Sequence, residues 1–283
     1  MSYQQYRPNN FSSLPLVIKN LLIINGLFFL AKLAMINMGI DLDDKLGLHF
    51  LLSDKFQPFQ IITYMFMHAD FWHLFFNMFA LWMFGNTLEN LWGPKRFLIY
   101  YLITGIGAAT CHYAVIYYQI HPDLQIINSI ITNPSTKTFE AFVNSEHLKF
   151  YSAEMLNQFK ESAGYYDKAM ASNNVTEALH ISVDIMQTYK TEFLNQPVVI
   201  GASGSVFGIL LAFGMLFPNT MLYIYFAIPI KAKWFVIIYG AMELFSGIAN
   251  STGDNVAHFA HLGGMLFGFI LIKYWQKKNN RFY

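Results

Sequence analysis

Charge is what this sequence has least of. Of its 283 residues, 12% are Asp, Glu, Lys or Arg, where soluble domains carry about 25%. So composed, the chain cannot cover a water-facing surface with charge, which excludes an ordinary soluble globule and points to the membrane. The net charge is +1 and no Lys/Arg-rich stripe runs along any segment, so there is no electrostatic footprint for nucleic acid. Cysteine is nearly absent. Cys111 stands alone, which excludes an intrachain disulfide and any zinc site built on a Cys pattern. Repeats and low-complexity tracts are missing as well. The opening residues, MSYQQYRPNNFSSLPL, lack the charged start and cleavage site of a secretory signal, and are expected to form a short cytoplasmic tail.

Long apolar runs are what the sequence has instead. A spanning helix needs about 20 mostly apolar residues. Runs at about 16–40, 71–92, 97–119, 199–217 and 233–250 qualify, and a sixth at about 256–276 is apolar apart from two histidines. The stretch MLYIYFAIPI, residues 221–230, is apolar but short and meets a proline, so it is expected at the interface or in a loop. The fold class expected is an all-α membrane protein, a six-transmembrane-helix bundle. Orientation follows from the positive-inside rule. With six spans, Arg7, the pair Lys95 and Arg96, the pair Lys231 and Lys233, and the group Lys273, Lys277, Lys278 and Arg281 all fall on one side. Both termini are therefore expected in the cytoplasm, with residues 1–15 and 277–283 as tails. The expected location is a bacterial inner (plasma) membrane.

Between the third and fourth runs, residues 121–197 differ in kind. They hold nine acids against five lysines, a net charge of −4. Their apolar residues recur at helical spacing: Phe139, Val143, Leu148, Met155 and Phe159, then Val175, Leu179, Val183, Met186 and Phe193. This spacing predicts two amphipathic helices broken near Ser162-Ala163-Gly164. They would form an extramembrane helical insertion on the outer side, dividing core segments 16–120 and 198–276. Asn174 followed by Glu177 has the form of a capping box. Two Asn-x-Ser/Thr strings, at Asn174 and Asn250, carry little weight.

Polar and ionisable groups inside a span are costly, so each is a candidate for function. Three clusters qualify. His68, His73 and Asn77 lie in HADFWHLFFN; two serines lie in Gly201-Ala202-Ser203-Gly204-Ser205; Asp254, His258 and His261 lie in GDNVAHFAHLGG. Each alone has a structural explanation, since a transmembrane serine commonly bonds a carbonyl one turn back and small residues mark tight helix packing. Together they say more. A nucleophilic serine needs a base about 3 Å away, and two helix backbones come that close only over glycine. Gly204 and Gly208 form a Gly-x-x-x-Gly ridge just past Ser203, and Gly264 and Gly268 form another just past His261. Spans four and six can touch along these ridges and set Ser203 against His261. His73 and Asn77, spaced i, i+4, share one face of span two and offer ring and amide N–H donors for an oxyanion. The helix beginning near Ser203 adds free backbone N–H groups. Ser205 and His258 are the competing serine and histidine.

These motifs resemble those of the rhomboid family of intramembrane serine proteases. The matching strings are His73-Leu74-Phe75-Phe76-Asn77, Gly201-Ala202-Ser203-Gly204, and His261 with Gly264 and Gly268, flanked by TYMFMHADFWHLFFNMFALWMFG and AHFAHLGG. The resemblance covers residues 58–110 and 199–272 and, more loosely, the first span. It implies Ser203 as nucleophile and His261 as general base of a dyad. It also implies an oxyanion hole of His73, Asn77 and the Ser203 backbone amide. The implied reaction is hydrolysis of peptide bonds in or next to transmembrane segments of other membrane proteins. Those substrates and the lipid bilayer are then the partners, with no cofactor and no metal. Because the family works without an acid, Asp254 is expected in a loop or helix cap. Glu243, an intramembrane carboxylate of span five, is expected in a structural hydrogen bond, with a functional role as the alternative. Glu89 is expected to pair with a basic residue at the inner face, and His68 to hold the loop before span two. Residues 121–197 depart from the family's short loop, either as a tolerated insertion or as a surface that screens substrates or docks a partner.

Rival enzyme classes lack their signatures. No His-Glu-x-x-His string marks a membrane metalloprotease, and STGD at residues 251–254 has serine where an aspartyl intramembrane protease has glycine. The alternative of another class is a non-catalytic rhomboid-like protein that binds and escorts transmembrane helices. Such relatives usually lose the serine or the histidine, and this chain keeps both.

Overall fold

A computed structural model describes residues 14–224, 227–249 and 256–278. In chain order its elements are α1 (Leu16–Ile36), α2 (Leu42–Leu46), the two-residue strand β1 (Leu48–His49), α3 (Gln60–Thr63) with a 3-10 turn at Tyr64–Phe66, α4 (Phe71–Trp92), α5 (Pro94–Thr132), α6 (Thr136–Val143), α7 (Ala153–Ala171), α8 (Val175–Asn195), β2 (Val198–Val199), α9 (Ser203–Leu216), β3 (Met221–Ile224), β4 (Ile228–Lys231), α10 (Ala232–Ala249) and α11 (His258–Lys278). The chain divides into two compact units. Met1–Gly47, Phe59–His112 and Val199–Tyr283 form the first; Leu48–Pro58 and Tyr113–Val198 form the second.

In the first unit, α1, α4, the first part of α5, α9, α10 and α11 fall on the six apolar runs of the sequence. Of these, α1, α5 and α10 are long and apolar enough to cross a membrane, and α9 is a shorter apolar helix. The outer faces are apolar too: Trp72 and Phe76 on α4 and Phe245 and Ile248 on α10 are each more than 60% exposed. Facing water, such area would be a large adhesive patch; facing lipid tails it carries no such penalty. The unit is that of an integral membrane protein. Helix α9 is the reverse case, apolar on all sides and buried from Gly204 to Leu210 without a break, as befits a helix at the centre of a bundle.

Glycine sets how close the helices come. A Cβ placed on Gly264 of α11 would lie 1.9 Å from the carbonyl oxygen of Gly204 on α9. One turn on, a Cβ on Gly268 would meet the Tyr100 hydroxyl at 2.3 Å and the Gly208 α-carbon at 3.4 Å. The two ridges therefore meet backbone to backbone. The Tyr100 hydroxyl donates to the Gly208 carbonyl, 2.8 Å away, and a Cβ on Gly204 would sit 2.4 Å from the Cβ of Ala108 on α5. Three helices thus converge on residues with little or no side chain.

Glu89 corrects an expectation. Among the described residues it pairs with no base: its two carboxylate oxygens accept the backbone N–H groups of Val17 and Ile18, at 2.9 and 2.8 Å. Helix α1 starts after Pro15, whose side chain cannot cap it, so a carboxylate from α4 satisfies its first orphan donors and complements its dipole. Within the apolar stretch 221–230, expected at the interface or in a loop, the structure is more regular than a loop: β3 and β4 pair antiparallel, with Met221 opposite Lys231 and Leu222 opposite Ile230.

The second unit holds the end of α5, α6, α7 and α8. The predicted break at Ser162-Ala163-Gly164 is not there; α7 runs through it unbroken. One glycine costs a helix about 1 kcal/mol, and the burial of Phe159, Tyr166 and Ala169 on either side outweighs it. The break falls instead at Ser172–Asn174, where Asn173 takes a positive φ of 53°, a conformation asparagine tolerates. The Asn174 side chain then accepts the Glu177 N–H and its amide donates to the Glu177 carboxylate, 2.6 Å away. Helix α5 likewise continues past the expected end near 119, through Pro122, to Thr132. Aromatic pairs knit the unit together, among them Phe139 with Tyr166 (ring centroids 4.7 Å apart) and Phe142 with Tyr189 (5.5 Å).

The backbone contact at Gly264 predicts a test. Gly264→Ala should destabilise the protein by at least about 1–3 kcal/mol, because a carbonyl cannot rotate away as a side chain can. Gly26→Ala, whose Cβ would meet nothing within 4 Å, should be neutral or stabilising. Thermal unfolding in detergent micelles compares them, and equal midpoints for both variants would contradict the packing described.

Candidate active site

Ser203 is the first residue of α9, and the turn that delivers it depends on Gly201. That glycine has φ +124°, a region side chains rarely enter. Its N–H donates to the Tyr64 carbonyl at 2.9 Å. A Cβ there would lie 2.9 Å from Nε2 of His73 and 3.6 Å from the Ser203 hydroxyl oxygen. The space left by the missing side chain is thus bordered by both functional groups.

Across the glycine contact, α11 presents His261. Its Nε2 lies 2.8 Å from Ser203 Oγ, hydrogen-bond distance. Its ring stacks flat on Phe207, with centroids 4.1 Å apart and planes within 4°. Phe207 stands one turn past Ser203 on α9, so one helix carries both the hydroxyl and the surface that fixes the imidazole plane. On the far side of the ring, His261 Nδ1 lies 2.7 Å from Oε2 of Glu243 on α10, and His258 Nδ1 lies 2.7 Å from that same oxygen.

Helix α4 is capped by Asp70, whose Oδ1 accepts the His73 N–H at 2.9 Å. His73 Nδ1 accepts the Ala69 N–H at 3.3 Å, which puts the ring proton of the neutral imidazole on Nε2, the nitrogen at Gly201. Asn77, one turn on, donates to the His73 carbonyl at 2.8 Å. Among the described residues no hydrogen bond joins Asn77 to Ser203. The first backbone bond of α9 runs from the Val206 N–H to the Ala202 carbonyl, so the amides of Ser203, Gly204 and Ser205 begin the helix without intrahelical partners.

The competing residues are occupied elsewhere. The buried Ser205 hydroxyl donates to the Tyr101 carbonyl, 2.7 Å away, a packing bond between α9 and α5. His258 faces Glu243 rather than either serine. His68 is fully buried with its ring edge-on to His73, centroids 5.0 Å apart. Burial, with His73 beside it, pushes its pKa down to about 3, so it is neutral. Lys32 holds that loop by donating to the His68 and Ala69 carbonyls, at 2.8 Å each. Asp254 lies outside the described residues. Sequence reasoning passed over Phe207, although its position at Ser203 + 4 was a usable signal. For Glu243 it puts a structural bond first and a functional role second, because nothing in the spacing ties residue 243 to 261.

Chemically, the arrangement can carry a proton from the Ser203 hydroxyl to His261 and offers N–H groups nearby for a developing oxyanion. Glu243, His258 and His261 also place one ligand atom each within 4.8 Å of one another. Their 2.7 Å contacts are hydrogen-bond lengths, whereas two ligands of one tetrahedral zinc ion stand about 3.3 Å apart.

A family model described as Rhomboid domain matches residues 55–122 and 170–277. Among curated proteins, the chain is 37% identical over 90 residues to Rhomboid-like protein 11, chloroplastic, of Arabidopsis thaliana, covering 30% of this chain and 31% of that protein. It is 41% identical over 49 residues to Rhomboid protein 1, mitochondrial, of Saccharomyces cerevisiae, covering 17% of this chain and 14% of that protein. It is 40% identical over 47 residues to Rhomboid protease GluP of Bacillus subtilis, covering 17% of this chain and 9% of that protein. The matches thus span less than a third of each relative's length.

Gly201 lies within the second matched stretch and makes its own prediction. Gly201→Ala must strain the backbone by about 1–3 kcal/mol and push His73 aside. A lowered thermal midpoint is expected, and an unchanged one would show that the turn before Ser203 is not as described.

Proposed function

The chain belongs to the rhomboid family, and we propose that it is an intramembrane serine endopeptidase acting on peptide bonds in or next to transmembrane segments of other membrane proteins. The observation that carries this reading is the 2.8 Å contact between Ser203 Oγ and His261 Nε2 at the start of a buried apolar helix. In the proposed reaction, His261 takes the Ser203 proton as the hydroxyl oxygen attacks the scissile carbonyl. The Nε2–H of His73, the Ser203 amide and the Asn77 side chain receive the oxyanion. His261 returns the proton to the leaving amine, and water releases the acyl group by the same route. Small residues at the cleaved bond suit this site, because Gly and Ala let a substrate backbone unwind and extend.

Six spans with both termini in the cytoplasm, in a bacterial inner membrane, fit the distribution of lysine and arginine. Residues 121–197 then lie outside as a helical module, and the interruption of the family match between residues 122 and 170 supports the additional character of its part from 123 to 169. Its net charge of −4 suits the screening of substrates or the docking of a partner.

Two variants test the reaction. A fluorophosphonate probe should label the purified protein, and Ser203→Ala should abolish the label; an unlabelled wild type would favour a relative that only binds helices. Hydrolysis by His73→Ala should be slower by about 10²–10³-fold, and full activity would remove His73 from the oxyanion site.

A further inference from the structure

Glu243 has no part in the reaction just proposed, yet its position is specific. It is buried on α10, and a single oxygen, Oε2, lies 2.7 Å from Nδ1 of both His261 and His258. A neutral imidazole has one ring proton to place. A carboxylate at Nδ1 claims it, which leaves Nε2 bare at 2.8 Å from Ser203 Oγ. With the proton on Nε2 instead, His261 could not accept the one that Ser203 must lose. Once His261 has accepted it, the ring is an imidazolium, and an adjacent negative charge stabilises that state. Phe207, flat against the ring, holds the plane but cannot choose between the nitrogens.

We propose that Glu243 is a positioning residue, which holds His261 in the tautomer that can deprotonate Ser203 and stabilises the imidazolium formed, while His258 anchors the shared oxygen. Serine, histidine and glutamate then stand in line, where the family resemblance implies a dyad alone. This inference rests on the protease reading. Among the described residues, the other titratable groups around the pair are Tyr239, one turn before Glu243 on α10, His73 on α4 and His112 on α5.

The test is the rate of fluorophosphonate labelling in detergent micelles, followed across the acid and neutral range, with thermal midpoints alongside. Glu243→Gln should label about 10²-fold or more slowly with a midpoint near that of wild type. The acid limb of its rate profile should move to lower pH, because the imidazolium has lost its counter-charge. Glu243→Asp, which keeps the charge, should keep the wild-type acid limb and label within about tenfold of wild type. If Glu243→Gln does not fold, the aspartate variant decides: a displaced acid limb overturns the proposal. Labelling of Glu243→Gln at the wild-type rate overturns it and leaves the protease reading standing. A loss of label that only tracks a lowered midpoint, with the acid limb in place, assigns Glu243 a structural role and also overturns it. Labelling lost to a chelator and restored by zinc would replace the hydrogen bonds by a metal centre. A wild type that never labels sinks the protease reading, and the positioning role falls with it.

Discussion

The Gly204 carbonyl rests against the α-carbon of Gly264, leaving no room for even a methyl group between α9 and α11. That contact fixes the site. With any side chain at Gly264 the helices would stand further apart, and the 2.8 Å bond between His261 and Ser203 would open. Van der Waals packing and small residues are what hold helices together in lipid, where no hydrophobic force separates helix from solvent. The same close approach brings Ala108 and Thr104 of α5 against Gly204 and Gly208, so α9 is gripped from two sides. The serine is carried by the most enclosed helix of the unit, which leaves its hydroxyl little freedom to wander.

Charge inside the first unit follows a second rule. Both buried acids described, Glu89 and Glu243, are satisfied by N–H donors rather than by lysine or arginine. Glu89 takes two backbone amides and so ties α4 to the start of α1. Glu243 takes two imidazoles and so ties α10 to α11. A buried carboxylate without such partners would be costly, and each pair of donors turns that cost into a link between helices. The two acids differ in what lies beyond them: Glu89 ends at a helix terminus, whereas Glu243 is one imidazole away from Ser203.

Much of this was legible in the sequence because it is local. Glycines four apart beside Ser203 and His261 name the touching faces, and the i, i+4 spacing of His73 and Asn77 puts both on one side of α4. The cap at Asn174 could be read from two residues. What could not be read depends on partners far away in the chain. Glu89 looks like half of an ion pair until α1 is seen to begin at a residue with no cap of its own. Glu243 belongs to a helix with no motif, and its histidines come from another. The helix break was misplaced because Ser162 and Gly164 have weak helix preference, whereas burial of Phe159 and Tyr166 overrides it. The pairing of β3 with β4 escaped because ten apolar residues fit an interfacial segment, a loop or a strand pair equally well.

The most direct test of the central claim is an experimental structure of the protein reacted with a phosphonate inhibitor. The account predicts a covalent bond from phosphorus to Ser203 Oγ, the phosphoryl oxygen facing His73 Nε2 and the Ser203 amide, and His261 still seated between the adduct and Glu243. An adduct on another residue, or His261 and Ser203 on helices held apart where Gly204 and Gly264 should touch, would contradict it.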